Sequence, residues 1–133
     1  MMELRKDIAK IAAEWWADKV YRLPLHDNGD RGEASAFAGM LADMLSKPIG
    51  LDTRDRFVEE LTNSLVAYAK EYQGAYIYLD CDYGPCRILS DAARKAGVDP
   101  ANFPWKTSMH VCPSEVRVKD GYGAPLATIY KAE

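Results

Sequence analysis

The side chains with the most chemical capacity in this chain lie between Asp80 and Cys112. Asp80 and Asp82, two residues apart, could share a divalent cation or act as an acid/base pair. They lead through Tyr83 and Gly84 into Pro85 and a helical pattern, so first-turn amides would point at whatever sits beside Gly84. Arg87 adds a possible donor. Asp80, Asp82, Gly84, Cys86 and Arg87 thus form a candidate small-molecule or nucleotide-phosphate site, binding or hydrolytic. The loop lacks the glycine spacing of a P-loop or dinucleotide fingerprint, and its carboxylates would repel an anion unless a cation intervened. Two aspartates entering a turn are also ordinary turn chemistry. Cys86 opens the helix, a placement used by nucleophilic cysteines, with His26 and His110 the only imidazoles in the chain. No local signature joins them.

Cys81, Cys86, His110 and Cys112 are four ligand types that zinc accepts. Their spacing is not that of a zinc knuckle, and strand alternation sends Cys81 to one face and His110 and Cys112 to the other. Four ligands cannot converge from opposite faces, so neither metal nor cofactor is expected.

Around these residues the periodicity predicts the elements. Leu4, Ile8, Ile11, Trp15 and the Lys19/Val20 level recur at three- and four-residue steps, giving a helix over 3–22. Trp15 and Trp16 border its apolar face, and the core is the expected place for the pair. Residues 23–32, LPLHDNGDRG, break the pattern as a solvated polar loop. Phe37, Met40, Leu41, Met44 and Leu45 make a helix over 34–46. Asp52 or Thr53 caps a third helix, which carries Phe57, Leu61, Leu65, Tyr68 and Tyr72 on one face and stops at Gly74. An apolar strand from Ala75 runs into the turn at Gly84, where the change of direction is expected to leave little space for a side chain. The helix after it ends at Gly97. Strands follow over about 106–112, 115–120 and 126–131, separated by Pro113-Ser114 and by Gly121 to Pro125.

The expected fold is a single α+β domain over 1–133. Three N-terminal helices (1–73) pack on a four-stranded mixed sheet (74–133) that has a helix inserted between strands 1 and 2. The first crossover is expected to be right-handed, and strands two to four to form a meander.

Alternation sorts the strand residues into two faces. Ile77, Leu79 and Cys81, then Thr107, Met109 and Val111, then Val116 and Val118, then Ala127 and Ile129, form an aliphatic face for the helices to cover. Tyr76, Tyr78, Lys106, His110, Arg117 and Tyr130 gather on the other. Tyrosine supplies contact area at small rotamer cost and arginine supplies directional donors, so these six residues are the candidate partner-binding surface.

Composition bounds the remaining classes. A 133-residue chain with 48% hydrophobic and 28% charged residues suits a soluble domain with its own core. A net charge of −3 argues against a dedicated nucleic-acid binder, though not against a local basic patch. No apolar run approaches the roughly 18 residues of a membrane span. The N-terminal residues read as amphipathic helix rather than signal peptide. Three cysteines, an odd number, do not suit a disulfide scaffold, and a reducing cytoplasm is the expected compartment.

The segments CDYGPC (81–86), FPWKT (103–107) and GYGAP (121–125) are unusual for connectors. The set resembles uncharacterised small proteins of bacterial mobile elements. That resemblance implies a class alone: short accessory or host-interaction proteins, some of which block defence systems by binding. With a thin acid/base inventory, the expected function is a non-enzymatic module that binds a protein partner, with inhibition of a host protein as its form.

Overall fold

The computed structural model describes residues 4–21, 47–72 and 76–132. The polar loop expected over 23–32, with His26, and the helix expected over 34–46 lie outside the described residues. In chain order the described elements are α1 (Lys6–Tyr21), α2 (Leu51–Glu71), β1 (Ile77–Cys81), α3 (Arg87–Ala96), a 3₁₀ turn (Pro100–Asn102), β2 (Thr107–Cys112), β3 (Glu115–Lys119) and β4 (Ala127–Lys131). The architecture is α+β. No helix among the described residues is long and apolar enough to cross a membrane.

Helix α1 turns a small-residue stripe inward: Ile8, Ala9, Ala12, Ala13, Trp16, Ala17 and Val20 are buried. The core face is therefore rotated from the one its larger residues suggest, and Ile11 and Trp15 sit at its margin. Trp16 is fully buried, in ring contact with Phe103 and edge-on to Trp15. Helix α2 packs against α1, and the pairing is fastened at its rim by Arg54, which donates from Nη2 to Asp18 Oδ1 at 2.6 Å. On α2, Phe57, Val58, Leu61 and Leu65 are buried, while Tyr72 at the end is exposed. Neither Asp52 nor Thr53 caps this helix. Its N-cap is Gly50, in extended conformation and without a side-chain hydrogen bond, so the helix begins before the expected capping residues.

The sheet is antiparallel throughout, in the order β1-β2-β3-β4, and the expected mixed sheet is corrected on this point. A helix placed between two neighbouring strands suggests a parallel crossover when it carries the chain back to the starting end. Here α3 has only ten residues and stops at Gly97, in the left-handed region at φ +83°. The segment 98–106 then returns the chain to the end of the sheet it left. β2 consequently starts beside the end of β1, with Cys81 opposite Thr107 and Ile77 opposite Val111. The rule for right-handed parallel crossovers does not apply to such a connection.

Two packing facts hold the layers together. Ile77, Leu79, Cys81, Met109, Val111, Val116 and Val118 join residues of all three helices in one buried cluster. Asn102, fully buried, accepts a hydrogen bond from the Lys47 amide at 2.6 Å and donates to the Lys47 carbonyl at 2.5 Å. That exchange satisfies the fully buried Asn102 side-chain amide, which would be costly to leave unpaired.

Candidate functional site

The face of the sheet away from the helices carries the side chains that alternation assigns to it, with one exception. Antiparallel pairing sets Tyr78 against His110 and His110 against Arg117, making a transverse row over three strands. A second row, Asp80, Ser108 and Lys119, lies beside it. Tyr76, just ahead of β1, has its hydroxyl hydrogen-bonded to His110 Nδ1, and the His110 ring also packs on Tyr78 with centroids 4.9 Å apart. Tyr76 and Tyr78 are 63% and 52% exposed, so no other described residue covers them.

The exception is Tyr130. The register shifts between Val116 and Arg117: Val116 faces Tyr130 but Arg117 faces Thr128, which leaves Ile129 as the extra residue of a bulge. The inserted residue flips the alternation, so Tyr130 shares the core side with Val116 and packs half-buried against the cluster. It leaves the candidate contact surface, and Ile129 does not take the core position expected of it.

In an antiparallel meander, the end of β1, the start of β2, the end of β3 and the start of β4 meet at one end of the sheet. The three unusual segments converge there. Lys106 pairs with Asp82 (Nζ to Oδ1, 2.5 Å) and lies 4.4 Å above the Tyr83 ring centroid; Tyr83 meets Trp105 edge-on. The Lys106 amide also donates to the Asp82 carbonyl at 3.0 Å. These contacts hold Lys106 at φ +55°, a left-handed conformation uncommon for a residue with a side chain. The hydrogen bond to Asp82 raises the Lys106 ammonium above its ordinary pKa. The third segment is tethered from the other side, where Lys19 of α1 pairs with Asp120 at 2.5 Å.

Between these segments and the two rows lies an open groove of about 630 Å³. It is lined by Tyr78, Asp80, Cys81, Asp82, Lys106, Thr107, Ser108, His110, Lys119, Tyr122 and Leu126. The structure thus brings Tyr78, Lys106 and His110 together with Asp80 and Asp82, merging parts of the two candidate sites. Gly84, Cys86 and Arg87 do not line the groove. The Cys86 amide is taken by the Asp80 carbonyl at 2.8 Å, and the exposed Arg87 side chain runs along its own helix toward Asp91. Gly84 is not crowded: a Cβ there would meet nothing within 4 Å, and its φ is not left-handed. The expected tight fit at Gly84 is therefore corrected.

The cysteines are free. Cys81 is buried on the core face, and burial, with the nearby Asp80 carboxylate second, pushes its thiol up to about 12. Cys112 lies at the opposite end of β2 from Thr107, the partner of Cys81, roughly 17 Å away along a strand at ~3.4 Å per residue. Among the described residues no group of three or more His, Cys, Asp or Glu side chains is placed to hold a metal ion.

Lys119, Ser108, Tyr122 and Leu126 are groove residues that the sequence did not single out. Alternation already placed Lys119 and Ser108 on the open face. Alternation over 126–131 placed Leu126 there as well, whereas Tyr122 reaches it by a loop path that no local pattern encodes. No family model matches the chain, and no curated protein is significantly similar to it.

Proposed function

We propose that this chain is a non-enzymatic binding module that engages a protein partner through the open face of its sheet. One observation carries the reading: Tyr76, Tyr78, Tyr122 and Leu126, each 43–64% exposed, border His110 and the groove on a face whose reverse side is packed against the helices over β1, β2 and β3. Large apolar side chains concentrated on one rigid surface, with arginine and lysine among them, are the composition of contact hot spots. The polar groups are ill-suited to catalysis. Asp82 is engaged by Lys106, and Cys86 stands outside the groove that His110 lines. The module works in a reducing cytoplasm, which keeps its three cysteines as thiols. Its resemblance to small mobile-element proteins gives the binding a direction, namely occupation and inhibition of a host defence protein.

The test is capture of the partner from the native host by the tagged protein, repeated with Tyr78→Ala, Tyr122→Ala and Arg117→Ala. At least one hot-spot variant should weaken capture by roughly 1–3 kcal/mol while melting like the parent. Normal capture by all three would remove the open face as the contact surface. The groove's volume supports a second reading, a small-molecule site on Asp80 and Asp82. Loss of ligand binding or activity in Asp80→Asn or Asp82→Asn, with the three face variants unaffected, would favour it.

A further inference from the structure

The charges at the groove end of the sheet fall into two groups. Asp82 is neutralised by Lys106, and Asp120 by Lys19. Among the described residues Asp80, Arg117 and Lys119 have no ion-pair partner. Their places are set by the register. Asp80 is on β1, and Lys119 stands two strands away in the same transverse row, with Ser108 between them. At ~4.8 Å per strand, their backbones are about 10 Å apart. Arg117 lies on β3 in the next row, behind His110. The face therefore has an unpaired negative charge on β1 and two unpaired positive charges on β3, and the exposed Tyr78, Tyr122 and Leu126 border the groove between.

Building on the binding-module reading, we infer that the partner is a protein segment of matching polarity. It places a carboxylate over Arg117 and Lys119, a cationic side chain over Asp80, and an apolar side chain between them in the groove. Complementary charges fix orientation and suppress wrong partners, and the apolar contact supplies most of the affinity. In an extended segment the side chains alternate sides at ~3.3 Å per residue, so the acidic, apolar and basic residues that face the groove would fall at every second position. The outer two would be about 13 Å apart along the backbone and reach the charges by their side chains. A single-stranded nucleic acid fits less well. Its phosphates repeat without alternation of sign and would have to pass Asp80 and Asp82, while the charge of Lys106 is already used.

The experiment is selection of a random 12-residue peptide library on the immobilised protein. The peptides selected are then synthesised, and their binding is measured by fluorescence anisotropy. Wild type should enrich sequences with an acidic and a basic residue bracketing an apolar one. The double variant Arg117→Glu/Lys119→Glu should bind them at least tenfold more weakly, and Asp80→Lys should lower affinity for the same peptides. Since none of these side chains makes an ion pair among the described residues, the variants should melt like the parent. Arg117→Gln/Lys119→Gln, expected to give a smaller loss in the same direction, serves if the reversal disturbs the fold. Failure to enrich any peptide, enrichment without acidic residues, or indifference to the reversal would overturn the inference. So would tighter binding of a labelled oligo(dT) than of any peptide. If Tyr78→Ala abolishes capture of a host protein while the double reversal leaves capture intact, the charge inference fails and the binding-module reading stands. If Tyr78→Ala, Tyr122→Ala and the double reversal all leave capture unchanged, both fail.

Discussion

Tyr78 and Leu79 are neighbours on β1, yet one is 52% exposed beside His110 and the other fully buried among helix residues. The same contrast repeats along β2, where His110 is half-buried on the open side and Met109 is buried on the core side. A one-sided sheet divides its labour residue by residue. Odd positions of β1 hold the helices, and even positions meet whatever approaches from outside. Stability and binding should therefore separate between adjacent residues.

The largest expected effect tests that division directly. Leu79→Ala should destabilise by about 2–5 kcal/mol, from lost burial and the cavity left behind. Tyr78→Ala should change stability by less than ~0.5 kcal/mol, as surface substitutions do. Urea unfolding of both variants checks this, and comparable losses would mean that the open face is also structural.

The next largest effect is alkaline. Cys81 on the core side is held up to about 12 in the fold, against an ordinary thiol near 9.0. A raised native pKa means that the unfolded chain releases the proton first. The contribution is fully present below about pH 9 and is lost as pH rises toward 12, at up to roughly 1.4 kcal/mol per pH unit. Cys81→Ala should flatten that slope in melts between pH 9 and 11. In native protein, Cys112 on the open side should react with a thiol reagent well before Cys81, and the opposite order would contradict the assignment of faces.

A smaller effect probes the bulge. With Tyr130 moved to the core side, Tyr130→Ala should cost about 2 kcal/mol, below the ~3–5 of a fully buried aromatic because the side chain is only half covered. Thr128→Ala, facing Arg117, should cost almost nothing. Equal, negligible effects would restore simple alternation to β4.

The smallest expected change is at Gly84. With open space at the Cβ and no left-handed φ, Gly84→Val should melt within a few degrees of the parent. A loss of several kcal/mol would show that the turn is tighter than its backbone geometry indicates.

How far the sequence could be read follows from these same places. Faces on β1, β2 and β3 were legible because a sheet with one covered side writes a period of two into its residues: Ile77, Leu79 and Cys81 against Tyr78 and Asp80. Helix α2 was legible from Phe57, Leu61 and Leu65. The inner face of α1 was read off-centre because alanines weigh little in a hydrophobic pattern, although Ala9, Ala13 and Ala17 are buried along it. Strand direction was not legible, since a connection containing α3 serves either direction and only the return through 98–106 decides. The bulge at Ile129 was invisible because an extra residue is defined by its partner strand. For the candidate site, alternation placed Tyr78, His110 and Arg117 together, whereas the contribution of Tyr122 depended on tertiary convergence of loops.

The long connection between hydrogen-bonded neighbours also bears on the order of assembly. β2, β3 and β4 are joined through 113–114 and 120–126, closures with small entropic cost, whereas β1 reaches β2 only across 82–106. The three-strand meander is therefore expected to form first and β1 to dock last, with α3 forming in between. Pulse-labelled hydrogen exchange should protect His110 and Val116 amides before Leu79, and early protection of Leu79 would reverse the order. Tyr78 and Asp80 ride on that last strand, so until β1 docks the nascent chain has the cations of β3 without the anion that completes the pattern. Under the proposed binding reading, recognition is thereby reserved for the finished protein.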